Sequence, residues 1–146
     1  MQLDDLYRRV IMDHYKTPRN RGLFEEEATK VELNNPTCGD RITLQLKLAD
    51  GIITDARYTG EGCSISMSSA SMMTEAVKGK TVEQAIDLAG RFSGLMKGED
   101  VVFDEYEDIE ALSGVNKFPA RIKCATLAWN ALRKGIDEEE QHDHHQ

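Results

Sequence analysis

Ile42-Thr43-Leu44-Gln45-Leu46-Lys47-Leu48 alternates apolar and polar residues without a break. Successive side chains of a strand point to opposite faces, so this period of two predicts a strand with one buried face. Asp50-Gly51 follows, and both residues tolerate the positive φ that a tight hairpin turn demands. Ile52 to Tyr58 then reads as the returning strand. Upstream, Thr29 to Asn34 alternates more weakly, with Val31 and Leu33 set against Lys30, Glu32 and Asn34. Three short strands in succession predict a small antiparallel sheet.

Helical patterns flank the sheet. Leu3, Leu6, Tyr7, Val10, Ile11 and His14 recur at helical spacing, and Asp4 and Asp5 stand in the first turn, where the macrodipole favours them. Lys16-Thr17-Pro18 ends that helix, because a residue before proline avoids the α region. His14 lies on the apolar stripe and reads as a packed helix-end histidine. After the third strand, Gly60-Glu61-Gly62-Cys63 breaks the pattern and a helix is expected from Ser64. Its Ser64, Ser66, Ser68, Ser69, Ala70 and Ser71 are small enough for close backbone approach. Gly79 suits the position just past its end.

Thr81-Val82-Glu83-Gln84 has the form of a capping box, and Val82, Ala85, Ile86, Ala89, Phe92 and Met96 continue as one helical face. Gly98 to Glu110 is strongly acidic and reads as solvated surface, with a docking patch as the alternative. The last helix is expected from Pro119 to Gly135, with Ile122, Ala125, Trp129 and Leu132 on its core side. Residues 137–146 are expected to form an acidic, His-rich disordered tail, whose His142, His144 and His145 lack a rigid support for a native site. The fold class is therefore α+β: a helix, a three-stranded antiparallel sheet, and a helical C-terminal half packed on one face. A single domain is expected over 1–136.

A net charge of −8 argues against binding driven by nucleic-acid phosphates. The N-terminus lacks the basic and apolar regions of a signal peptide, and no apolar run reaches the ~18 residues of a membrane span. These features predict a cytoplasmic protein that binds neither nucleic acid nor membrane.

Three cysteines cannot form a complete set of internal disulfides. In a cytosolic chain such residues serve metal binding or catalysis, or are small buried hydrophobes. Cys38 falls in Asn35-Pro36-Thr37-Cys38-Gly39-Asp40, between the first two strands. Cys63 falls at a strand-to-helix junction, where a helix N-terminus favours thiolate. Cys124 falls early in the last helix, with Arg121 one turn before it and Lys123 about 100° away. Three thiolates and Asp40 make a four-ligand set of the kind Zn²⁺ prefers, although the spacing lacks any CxxC.

Three ordered segments carry a family resemblance. They are Asn35 to Asp40, Gly62-Cys63-Ser64-Ile65-Ser66 with its run of serines, and Arg121-Ile122-Lys123-Cys124-Ala125-Thr126-Leu127-Ala128-Trp129. Together they resemble the IscU/NifU N-terminal family of iron–sulfur cluster assembly proteins, over nearly the whole chain to about Gly135. Scaffold members have histidine where this chain has Lys123, and Leu-Pro-Pro-Val-Lys where it has Phe118-Pro119-Ala120-Arg121-Ile122-Lys123. The interval from Cys63 to Cys124 is also longer and holds the acidic stretch. These departures resemble the SufU-type branch.

That resemblance implies a sulfurtransferase-like, zinc-dependent acceptor of persulfide sulfur from a SufS-type cysteine desulfurase. Other iron–sulfur assembly proteins are expected downstream. It implies zinc held by Cys38, Asp40, Cys63 and Cys124, with a desulfurase histidine displacing Cys38 as the nucleophile. Arg121 is expected to orient the loop or stabilise the displaced thiolate, the alternative being a surface ion pair. One rival is a scaffold carrying iron or a transient [2Fe–2S] cluster on the same ligands. The other is a purely structural zinc.

Overall fold

A computed structural model describes residues 2–26, 28–36 and 39–144, without the side chains of 2–4 and 140–144. Helix α1 (Gln2–Lys16) precedes strands β1 (Thr29–Asn35), β2 (Asp40–Ala49) and β3 (Ile52–Glu61). Helices α2 (Ser64–Val77) and α3 (Val82–Met96), a 3₁₀ segment (Glu107–Lys117) and helix α4 (Pro119–His144) complete it. The sheet is antiparallel in the order β1-β2-β3, as the alternation predicts. Asp50 and Gly51 both have positive φ, 55° and 77°, which closes the β2–β3 hairpin.

Val31, Ile42, Leu44, Leu46, Ile53, Ala56 and Tyr58 turn to one face of the sheet and are buried. Helices α2 and α4 cover that face, while the other carries Lys30, Glu32, Arg41 and Arg57. Phe24 crosses the polar face: its N–H donates to Gln45 Oε1 at 2.7 Å and its ring lies under Lys47 and Arg57. Gln45 is consequently buried on the side opposite the main core.

The small residues of α2 serve as interhelical connectors. Ser69 Oγ donates to Ala125 O (2.6 Å) in α4 and accepts from the Trp129 indole N–H (3.2 Å). Ser71 Oγ meets His14 Nδ1 at 2.7 Å and accepts from the Arg19 N–H at 2.9 Å. His14 is fully buried, and its Nε2 faces Asp108 Oδ2 at 2.8 Å. One histidine thus joins α1, α2 and the 3₁₀ segment, a structural role in keeping with its place on the α1 stripe.

Several expectations need correction. The α1 stripe is narrower than predicted: Tyr7, Val10, Ile11 and His14 face inward, whereas Leu6 is 52% exposed. Leu3 and Asp4 lie outside the described side chains. Ile86 is likewise exposed, because α3 centres its buried face on Leu88, Phe92 and Leu95. The acidic stretch is only partly solvated surface. Asp108 holds His14, Glu105 pairs with Arg91, and Glu110 accepts the N–H of the buried Phe103 at 3.2 Å. The 3₁₀ segment that carries two of these residues has no periodicity that would announce it.

The largest difference lies at the C-terminus. Helix α4 does not end at Gly135 but continues to His144, through most of the residues expected to be a tail; His145 and Gln146, and the side chains of His142 and His144, lie outside the described residues. Gly135 is a contact residue: a Cβ there would come within 2.9 Å of Leu46 Cδ1 and 3.3 Å of Val31 Cγ2. Ile136 beside it is fully buried, and Thr29 Oγ1 donates to Glu139 across the same contact. The glycine therefore seats the helix on the sheet. The capping box at Thr81 and Gln84, by contrast, forms as predicted.

Gly135→Val is expected to lower the unfolding free energy by about 1–3 kcal/mol through overpacking against Leu46 and Val31. Urea denaturation of the two proteins measures this. Gly135→Ala is expected to lose less, because alanine favours the helix by roughly 1 kcal/mol over glycine.

Candidate metal centre

Asp40 opens β2, directly opposite Asn35 at the end of β1. The connection between them runs over 36–39, and Gly39 has a φ of +73° with its N–H donating to Asn35 O at 2.9 Å. Thr37 and Cys38 lie outside the described residues, so the expected role of Cys38 has no structural counterpart here. Cys63 caps the N-terminus of α2, and Cys124 lies in the second turn of α4. Among the described residues, a carboxylate oxygen of Asp40 and the sulfurs of Cys63 and Cys124 all lie within 4.8 Å of one another.

A tetrahedral zinc ion with Zn–S bonds of about 2.3 Å separates its sulfurs by roughly 3.7 Å. The observed spacing is therefore compatible with one shared ion. The carboxylate supplies a second reason. Asp40 is fully buried; its Oδ1 accepts the Cys63 N–H at 3.1 Å, while its Oδ2 has no hydrogen-bond partner among the described residues. A buried carboxylate oxygen left unpaired is costly, and a cation at the cluster satisfies it. The donor set of two sulfurs and one oxygen suits a divalent ion of zinc's borderline softness.

Gly62 and Ser66 complete the cradle, and neither stands out in the sequence as a site residue. A Cβ on Gly62 would lie 2.4 Å from Asp40 Oδ1 and 2.5 Å from Ser66 Oγ. Only glycine lets α2 start this close to the carboxylate. Ser66 Oγ donates to Cys63 O at 3.1 Å and sits 3.8 Å from the Cys63 sulfur. It fixes the turn that presents the thiol. The Gly60-Glu61-Gly62 run reads from sequence only as a strand breaker; the contact behind it depends on Asp40, far away in the chain.

Arg121 is exposed and stands beside both sulfurs. Its hydrogen bond to Cys124, and the charges of Cys63 and Cys124, push its pKa above the usual guanidinium value. The structure thus brings Arg121 to the cluster, one turn before Cys124, as the helical spacing predicts. Arg41, next to Asp40, instead pairs with Glu61 across the β2–β3 ladder. Both groups of that pair are about two-thirds exposed, so it adds little to stability.

This sheet-and-helix framework, with a metal-competent cluster at one end, defines a class. Residues 6–145 match the family model described as the NifU-like N terminal domain, and the chain belongs to that family. It is 58% identical over 141 residues to the zinc-dependent sulfurtransferase SufU of Bacillus subtilis (strain 168), covering 94% of each chain. It is 48% identical to the iron–sulfur cluster assembly scaffold protein IscU of Streptococcus pyogenes serotype M1, covering 92% of this chain and 85% of that one. Among solved structures, a candidate iron–sulfur cluster scaffold of the SUF system from Fervidobacterium islandicum superposes with a TM-score of 0.82 at 30% identity. That match covers 87% of this chain and 93% of the other. A NifU-like N-terminal protein from Brucella abortus, at 22% identity and a TM-score of 0.83, shares the fold. No helix among the described residues is long and apolar enough to cross a membrane.

Gly62→Ala is expected to displace the Asp40 carboxylate and to weaken divalent-metal retention about 10–100-fold, the usual effect of disturbing a ligand's support. Competition with a chromophoric chelator measures the change.

Proposed function

We propose that this chain is a zinc-dependent sulfur acceptor in iron–sulfur cluster assembly, taking persulfide sulfur from a cysteine desulfurase of the SufS type. The observation that carries this reading is the convergence of Asp40, Cys63 and Cys124 about a buried carboxylate oxygen that has no hydrogen-bond partner among the described residues. The likeness to a named zinc-dependent sulfurtransferase over almost the full chain supports it.

Asp40, Cys63 and Cys124 would hold the zinc, with Cys38 as the fourth ligand from the loop that begins at Pro36. Zinc, when bound, keeps coordinated thiols deprotonated at neutral pH. The remaining chemistry belongs to the chain. Cys38 thiolate attacks the terminal sulfur of the donor's persulfide. A new S–S bond forms on Cys38 while the S–S bond to the donor cysteine breaks. The donor leaves as a thiolate and the transferred sulfur keeps its proton, so no external oxidant or reductant is required. Asp40 is held throughout by the Cys63 N–H. Arg121, beside the sulfurs, would stabilise negative charge on the Cys38 thiolate.

A scaffold carrying a transient [2Fe–2S] cluster is the second reading, favoured by the likeness to IscU proteins. Lys123, exposed where scaffold members carry histidine, counts against it. Protein purified without oxygen is expected to contain one zinc per chain and no visible absorption bands. Iron with cluster bands would favour the scaffold.

Cys38→Ala is expected to abolish stimulation of the desulfurase while retaining part of the zinc. Normal stimulation by this variant would exclude Cys38 as the acceptor. Asp40→Ala is expected to lose zinc first, measured as metal per chain after dialysis against a chelator. Unchanged metal content would remove Asp40 from the ligand set.

A further inference from the structure

Acidic residues outnumber basic ones in this chain, 26 to 18, yet no Asp or Glu occurs between Ala111 and Ile136. Within that window Lys117, Arg121 and Lys123 are all exposed. Phe118 lies between Lys117 and Arg121 in the chain and is 62% exposed, more than any other large hydrophobic side chain described. Its backbone is nonetheless fixed. The Phe118 N–H donates to Val115 O at 2.9 Å, and its carbonyl accepts the Arg121 N–H at 2.8 Å as the first bond of α4.

Phe118, Arg121 and Cys124 follow one another at intervals of three residues, close to one helical turn each. Phe118 immediately precedes the helix, and Cys124 lies in the second turn of α4. An aromatic ring on rigid backbone, flanked by an arginine, is the composition of an interface anchor, because little side-chain freedom is lost when it is buried. The surrounding cations define its partner. A chain of net charge −8 repels acidic surfaces in general, and a local basic patch reverses this where the patch lies.

We propose that the exposed 117–123 turn is the docking surface for the sulfur-donating enzyme. Phe118 enters an apolar pocket on that enzyme, and Lys117, Arg121 and Lys123 meet an acidic rim around it. This inference rests on the sulfur-acceptor reading above and adds the surface and the chemistry of its partner. It also explains why the patch adjoins the cluster: an enzyme held at Phe118 brings its persulfide to the mouth of the site.

The test uses the full-length zinc-loaded protein titrated into the desulfurase, with alanine formation from cysteine as the readout. Phe118→Ser and the pair Lys117→Glu/Lys123→Glu are each expected to raise the half-saturating concentration at least tenfold. The plateau rate is expected to stay within twofold of the parent, with zinc content unchanged. The charge-reversed protein is also expected to lose the parent's weakening with added salt, and Phe118→Leu to recover most of the affinity. If the parent stimulates the enzyme and both variants saturate within twofold of it, this surface is wrong. A lowered plateau at unchanged half-saturation would overturn it as well, assigning these residues to the chemical step. A parent protein that fails to stimulate at all would remove the sulfur-acceptor reading, and this surface with it.

Discussion

The hydrogen bond from the Cys63 N–H to the buried Asp40 carboxylate is the constraint around which the functional end is built. It joins the first residue of β2 to the cap of α2, the two ends of the β2–β3 hairpin. It also uses only one carboxylate oxygen and leaves the other without a partner among the described residues. The arrangement is compact because Gly62 has no side chain; any Cβ there would collide with the same carboxylate. Backbone geometry, burial and an unmet electrostatic demand thus coincide at one point. The two sulfurs nearby add the donors that an ion of zinc's borderline softness prefers.

The helices hold that point through polar contacts between small residues. Serines 69 and 71 let α2 approach both α4 and α1 closely, and each hydroxyl serves two partners. This matters for Cys124, whose distance from Cys63 is set by how α4 lies on α2. Trp129, one turn beyond Ala125, stacks on Phe92 with ring centroids 4.8 Å apart and fixes the rotation of α4. Gly135 seats the far half of the same helix on Leu46 and Val31. The helix that carries Cys124 is consequently anchored at several points along its length.

Local patterns were legible in the sequence wherever a residue's role depended on its near neighbours. The strict alternation over Ile42–Leu48, the Asp50-Gly51 turn and the Thr81–Gln84 capping box each report on contacts within a few residues. Asp40, Cys63 and Cys124 were singled out by residue type and by the family resemblance, and the fold brings these three together. What could not be read were the roles set by distant partners. Gly135 looks like a helix terminator until Leu46 is placed beneath it. Gly62 looks like a strand breaker until Asp40 is placed beside it. Asp108 belongs to an acidic run of ordinary surface character, and only the buried His14 gives it a specific task. Leu6 misled in the opposite sense, since helical spacing identifies a stripe but not where the stripe's edge meets solvent.

Asp40, Cys63 and Cys124 come from three separate elements, the last of them in the final helix. This has a consequence for biosynthesis. A metal site made from a CxxC pair can capture an ion as soon as one loop emerges from the ribosome. Here no nascent fragment that ends before Cys124 contains all three groups. The emerging chain therefore lacks the Cys124 sulfur until its last helix has been made. The three-residue cluster exists only once the domain has folded and α4 lies against α2.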